Sequence, residues 1–232
     1  MNQLPLGIRL RERAVFEHFV PGPNAAAVEQ LRGIAAASGA GVVWLAGARG
    51  VGKSHLLQAT CAAALARGIE AVYLSLAQLR QFGPGTLDGW PGARLVALDD
   101  VACVVGDRLW EQGLFGLYRD IEDRRAVLLA AAREPPVRLS FSLPDLASRF
   151  AAAHLLTLQP LDDGGQREAL RLRAQARGLE LPEETALYLQ RRYRRELSAL
   201  YELLDTIDEA ALRAQRRLTV PFIREVLKAR PP

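Results

Sequence analysis

Eight consecutive residues concentrate the chemistry of this chain. Gly47-Ala48-Arg49-Gly50-Val51-Gly52-Lys53-Ser54 has the spacing G-x-x-x-x-G-K-[ST]. Binding a phosphate group calls for these residue types. Gly47, Gly50 and Gly52, with Val51 between the last two, let the backbone curl so that its N–H groups face phosphate oxygens. A helix opening at Lys53 adds partial positive charge at the same place. Lys53 brings a point charge to the phosphates and Ser54 an oxygen to Mg²⁺. A second signal lies downstream, where the apolar run Leu95-Val96-Ala97-Leu98 ends in Asp99-Asp100. Asp99 suits the orientation of Mg²⁺, and Asp100 the polarisation of an attacking water. Together these residues predict a nucleotide site with Mg²⁺.

These groups need strands and helices to bring them together, and the pattern around them supplies both. Val42–Ala46 reads as a buried strand leading into the loop, followed by a helix from about Lys53 to Ala66. Further strands are expected at 71–75, 95–98, 126–130 and 154–158, with a helix at 107–123 and a Gly/Pro-rich loop over 83–92. Strands separated by helices imply an α/β fold with a parallel five-stranded sheet covered on both faces. After Gln159-Pro160-Leu161 strand signals stop, and four helices are expected at about 163–177, 183–193, 195–215 and 219–229. Pro182 and Pro221 stand at helix starts, where a missing N–H costs nothing. The expected organisation is a tail at 1–10, an α/β nucleotide-binding domain at 11–160 and a small all-helical domain at 161–232.

Composition bounds the alternatives. The chain has 232 residues, half of them hydrophobic and 24% charged, which fits a folded globular protein. No apolar run approaches the roughly 20 residues needed to span a bilayer, and the N-terminus lacks a signal pattern. A cytoplasmic protein without membrane attachment is expected. Cys61 and Cys103 cannot form a disulfide framework and read as buried thiols. The net charge is +4, and only Lys53 and Lys228 of the 30 cations are lysine. The cations are spread evenly, without the dense basic footprint of a dedicated DNA-binding domain. Trp44 reads as core and Trp90 as an exposed loop residue. The run Arg191-Arg192-Tyr193-Arg194-Arg195 reads as the solvated end of a helix with Arg195 turned inward.

The loop Gly47–Ser54 followed by His55-Leu56-Leu57, with Leu98-Asp99-Asp100 downstream, resembles the AAA+ module of the bacterial replication initiator DnaA. Phe16-Glu17-His18-Phe19-Val20-Pro21-Gly22-Pro23-Asn24 resembles the segment that cradles adenine in that family, which implies Phe19 and Val20 as nucleotide contacts alongside His55. Pro144-Asp145-Leu146-Ala147-Ser148-Arg149 resembles its arginine-finger motif. Arg195-Glu196-Leu197 resembles its second sensor, where a lid arginine approaches the nucleotide. The resemblance runs from about residue 13 to 232, without a helix-turn-helix after the lid.

Near the N-terminus, Gln3-Leu4-Pro5-Leu6 resembles the short peptide by which bacterial proteins dock on the β sliding clamp. A glutamine bonds at a pocket rim and two leucines fill an apolar pocket. Gly7 stands where such peptides carry an aromatic residue or proline. A clamp peptide joined to a DnaA-like module resembles the Hda family, the regulatory inactivators of DnaA. That resemblance implies a protein that holds ADP, docks on DNA-loaded clamp and presents Arg149 to ATP on DnaA. DNA contact is then mainly indirect, and a homodimer is open. The fourth strand ends in Ala130-Ala131-Ala132 where a polar first-sensor residue is expected, so little turnover by the isolated protein follows. An autonomous ATPase of the helicase-loader type stays open as the alternative. A DNA-binding AAA+ protein is a third possibility, opposed by the even charge.

Overall fold

The computed structural model describes residues 14–36, 39–90, 92–192, 197–214 and 218–228. The chain divides into two compact units. One contains Asn24–Ala48 and Gly52–Gln159, and the other Glu17–Pro23, Arg49–Val51 and Pro160–Pro232.

In the first unit, strands β1 (Gly41–Ala46), β2 (Ala71–Ser75), β3 (Leu95–Asp99), β4 (Val127–Ala132) and β5 (His154–Thr157) form one sheet. Their order is β2-β3-β4-β1-β5, and every pairing is parallel. β3 and β4 are buried along their whole length, as the continuous runs LVALD and VLLAAA predict for strands covered on both faces. Parallel pairing puts the C-terminal ends of β1, β3 and β4 along one edge, and the phosphate-loop sequence, the acid pair and Arg133 all emerge there.

Helix α1 (Ala25–Ala36) was not foreseen from sequence, because Ala-rich AAAVEQLRGIAA carries few bulky residues to mark a stripe. It nevertheless buries Val28, Leu31 and Ala35. Helix α2 (Lys53–Leu65) is apolar nearly all round and sits inside the unit, with Leu56, Leu57, Cys61 and Ala64 fully buried. The buried Thr60 hydroxyl donates to the Leu56 carbonyl at 2.7 Å, so its polar atom is satisfied within the helix. Cys103 is half-buried rather than core.

A short helix α3 (Leu76–Leu79) follows β2, and the expected loop over 83–92 contains a 3₁₀ turn, Pro84–Leu87. Trp90 is half-buried there: its indole N–H donates to the Thr86 carbonyl at 3.3 Å. Helix α4 (Arg108–Asp123) starts at Asp107, whose carboxylate accepts from the backbone N–H groups of Leu109 (3.1 Å) and Trp110 (3.3 Å). Helix α5 (Pro144–Ala151) has proline at its first position and buries Leu146 and Phe150. The Phe150 ring packs 5.3 Å from Trp44 and 5.7 Å from Phe141, so the end of α5 is anchored in the core beneath β1. Trp44 is fully buried, as expected.

The second unit contains α6 (Asp163–Gln175), α7 (Glu183–Arg192), α8 (Leu197–Ala214) and α9 (Val220–Lys228), close to the four helices expected. Leu170, Ala174, Leu189, Leu200, Leu204, Ile207 and Ile223 form its core. Asp162 caps α6 by accepting from Gly165 N–H at 2.7 Å. A row of ion pairs ties α6 and the turn after it to α8: Arg173 and Arg177 meet Asp205 at 2.9 and 2.8 Å, and Arg177 also meets Asp208 at 3.1 Å.

Candidate nucleotide site and arginine face

The loop after β1 bends through glycines. Gly50 has φ 81°, and Gly52, at the entry to α2, has φ 99° and ψ 16°. Both are left-handed, so a side chain at either position would strain the turn. Lys53 opens α2 and is 8% exposed. Its amine donates to the carbonyls of Gly47 (2.7 Å) and Ala48 (2.9 Å). Burial lowers its pKa; Asp99 and Asp100 oppose that shift, and Arg133 adds to it. Ser54 is exposed on the first turn of α2. His55 reaches the Val15 carbonyl at 2.8 Å through Nε2, tying the segment before the first 3₁₀ turn to α2.

Across the sheet, Asp99 is 3% exposed at the end of β3. Its Oδ2 accepts from the Tyr73 hydroxyl at 2.7 Å, and its Oδ1 from the Asp100 N–H at 3.0 Å. Burial, then the Asp99 charge, holds the Tyr73 pKa well above its ordinary value, so the phenol stays a donor. Asp100 is exposed and left-handed at φ 57°, turning the chain from β3 into the 3₁₀ turn Val101–Val104. Aspartate tolerates that conformation better than most residues. Among the described residues, no three His, Cys, Asp or Glu side chains gather as a metal cage. Mg²⁺ is commonly held by one or two carboxylates together with substrate phosphates. A glycine at the entry to α2, an inward amine and a carboxylate fixed at the end of β3 fit a nucleotide's phosphates and that ion.

Two residues of this region were missed in the sequence. Tyr73 carried no motif; only the parallel register, which sets Tyr73 opposite Ala97 and Ser75 opposite Asp99, brings it to the acid. Arg133 follows a strand whose last residues are all buried alanines, so β4 itself sends no polar side chain to the edge. Its carbonyl accepts from Gly47 N–H at 3.1 Å, and its charge is felt at Lys53. The signal was the register: Ala46 pairs with Ala132, so the residues after them stand side by side.

Arg149 lies in the last turn of α5, and its described partners are on α4. Its Nη1 donates to Glu122 at 3.2 Å, and its guanidinium lies 5.0 Å from the Tyr118 ring centroid and 5.8 Å from that of Phe115. The two helices are joined at their other ends by Glu111. That fully buried carboxylate accepts from Gly106 N–H (2.7 Å), Ser142 N–H (3.0 Å) and Leu143 N–H (2.7 Å). Glu111 therefore fixes the chain entering α5, and so where Arg149 emerges.

Phe19 is half-buried and Val20 buried, both within the unit that contains Pro160–Pro232. Asn24, at the end of the same motif, is 4% exposed. Its amide donates to the Gln159 carbonyl (2.9 Å) and its oxygen accepts from Gln159 N–H (2.7 Å). Arg195, and Gln3, Leu4 and Leu6, lie outside the described residues.

Residues 163–227 match the family model for the lid domain of Hda. In fold, the chain is similar to domain III of the replication initiation protein DnaA of Thermotoga maritima, with a TM-score of 0.80 at 20% identity over 94% of this chain and 98% of that one. It is similar also to AMPPCP-bound DnaA of Aquifex aeolicus (TM-score 0.70, 22% identity, 86% of this chain and 66% of that one). The Holliday junction branch migration motor RuvB of Thermotoga maritima follows with a TM-score of 0.62 at 16% identity, over 88% of this chain and 69% of that one. At these identities the likeness to the solved structures is one of fold.

Proposed function

We propose that this chain is an Hda-like AAA+ protein and a negative regulator of bacterial replication initiation, acting on DnaA. The observation that carries the reading is the Hda lid match, residues 163–227, following an α/β unit with a DnaA-like fold. In this reading the phosphate loop holds ADP. Gly50, Val51 and Gly52 would turn their N–H groups to the phosphates, while Gly47, its own N–H held by the Arg133 carbonyl, would shape the start of the loop. Lys53 would exchange its loop carbonyls for the phosphates, and Ser54 with Asp99 would hold Mg²⁺. The bound nucleotide with its metal supplies negative charge that fixes the loop. Phe19, Val20, His55 and Arg195 are the remaining nucleotide contacts in this reading. With no polar side chain at the end of β4, the chain turns over little ATP itself.

Its action is on a neighbour. Gln3, Leu4 and Leu6 dock on the DNA-loaded β sliding clamp, and Arg149 enters the nucleotide site of DnaA. There a guanidinium neutralises charge that develops as the γ-phosphoryl group passes to water. Fingers of this kind are worth about 10³–10⁵ in rate in other NTPases. Asp100, whose place suits polarising water in a site of its own, is secondary in this reading.

The test is the half-life of ATP on DnaA with DNA-loaded clamp. Wild-type protein should shorten it, and Arg149→Ala should not, while still binding clamp. Leu4→Ala with Leu6→Ala should lose both clamp binding and stimulation. Equal half-lives with wild type and Arg149→Ala would sink the reading. Robust turnover by the isolated chain would favour an autonomous ATPase instead.

A further inference from the structure

An arginine that acts across an interface has to be aimed before its target arrives. A free arginine side chain samples many rotamers, and freezing it on encounter costs entropy. Arg149 is not free. Its guanidinium rests near the faces of Tyr118 and Phe115, and Glu122 takes its Nη1, with the carboxylate oxygens at 3.2 and 3.5 Å. Tyr118 and Glu122 are one helical turn apart on α4, and the Tyr118 hydroxyl makes a long contact to Glu122 at 3.5 Å. The side chains of Arg149 and Glu122 are 40% and 55% exposed, so the group stays open to a partner.

The pair is one-sided. Both carboxylate contacts go to Nη1, not to the paired nitrogens of a fork-to-fork bridge. Guanidinium has five N–H donors, and a carboxylate on one nitrogen leaves the others for a phosphate. The aromatic face fixes the plane and the carboxylate fixes the rotation within it.

We propose that Glu122 and Tyr118 are positioning residues for Arg149, holding its guanidinium by one nitrogen and one face so that the rest of the fork is presented to a phosphate on another molecule. The inference rests on the reading of Arg149 as a finger for DnaA-bound ATP. It differs from the opposite view, in which Glu122 competes with the phosphate and restrains the finger. The two views predict opposite signs on removing the carboxylate.

The experiment titrates the full-length chain to saturation against ATP–DnaA and DNA-loaded clamp, and reads the saturating hydrolysis rate and the half-saturating concentration separately. Glu122→Ala should lower the saturating rate by about two- to fivefold, the worth of an exposed ion pair. The half-saturating concentration should hold. Glu122→Gln, whose amide oxygen still accepts from Nη1, should recover most of the rate, and Tyr118→Leu should lose a similar amount. Because Glu122 is exposed, thermal melting of its variants should match wild type. A saturating rate for Glu122→Ala equal to or above wild type overturns the proposal. A second reading needs no DnaA: in side-chain NMR of ¹⁵N-arginine protein, rotation about the Arg149 Cζ–Nη bonds should be slower in wild type than in Glu122→Ala. Equal rotation in both overturns it as well. Failure of the finger reading looks different, because wild type would then be no better than Arg149→Ala.

Discussion

Lys53 is held by two loop carbonyls at 2.7 and 2.9 Å, so in the proposed function a nucleotide's entry would exchange one set of partners for another rather than fill a void. Two nearby residues tune that exchange. Tyr73 donates to Asp99 inside the unit, and Tyr73→Phe leaves a buried carboxylate one bond short. The expected loss is about 1–3 kcal/mol, measured by urea unfolding without nucleotide. Arg133 adds a cation beside Lys53. Arg133→Ala should weaken ADP binding by about fivefold in a fluorescent-nucleotide titration, the scale of one partly screened charge contact; unchanged affinity would mean its charge does not reach the phosphates. At this scale the sequence was legible where types and spacing are contiguous, as in Gly47–Ser54. Tyr73 and Arg133 were not, because each acts through a neighbouring strand and nothing local marks the register.

At the scale of elements, α4 and α5 behave as one piece because Glu111 stitches the loop before α5 to the first turns of α4. Glu111→Ala removes the acceptor of three backbone N–H groups in a dry setting. We expect a loss of about 3 kcal/mol or more in urea unfolding, since a bond to a charged group is worth about 1.5–3 kcal/mol. Glu111→Gln should fall between, because one amide oxygen can serve only part of the set. The elements themselves were largely readable. β2 lies at 71–75 as expected, and β4 runs through Ala131 to Ala132, the end expected for the fourth strand. Alanine carries little strand signal, so those two residues join the sheet through pairing with β1, not through propensity. The same scarcity of bulky residues hid α1.

At the scale of the molecule, each unit has its own core, and the second relies on α8. Tyr201 there lies against Arg173, with 4.5 Å from guanidinium to ring centroid, and burial pushes its pKa up to about 12 from an ordinary 10.0. A raised folded pKa means the stability tied to the neutral phenol is complete below pH 10 and is lost as pH rises towards 12. Tyr201→Phe should therefore flatten the fall of the urea midpoint between pH 10 and 12 relative to wild type, and parallel curves would refute that role. The stripe Leu200, Leu204 and Ile207 was plain in the sequence, whereas the Arg173–Asp205 and Arg177–Asp208 pairs join residues more than thirty positions apart and have no local mark.

The strand order has a consequence for how the chain is made. β1, which leads into Gly47–Ser54, is flanked by β4 and β5, the two strands that leave the ribosome last. Between Ala46 and its partner Thr157 lies nearly half the polypeptide. At about 5–20 residues per second, β1 waits roughly ten seconds for its neighbours. During that interval GVVWLA is a bare apolar edge, and a nascent chain stalled before β5 should be the form most in need of a chaperone.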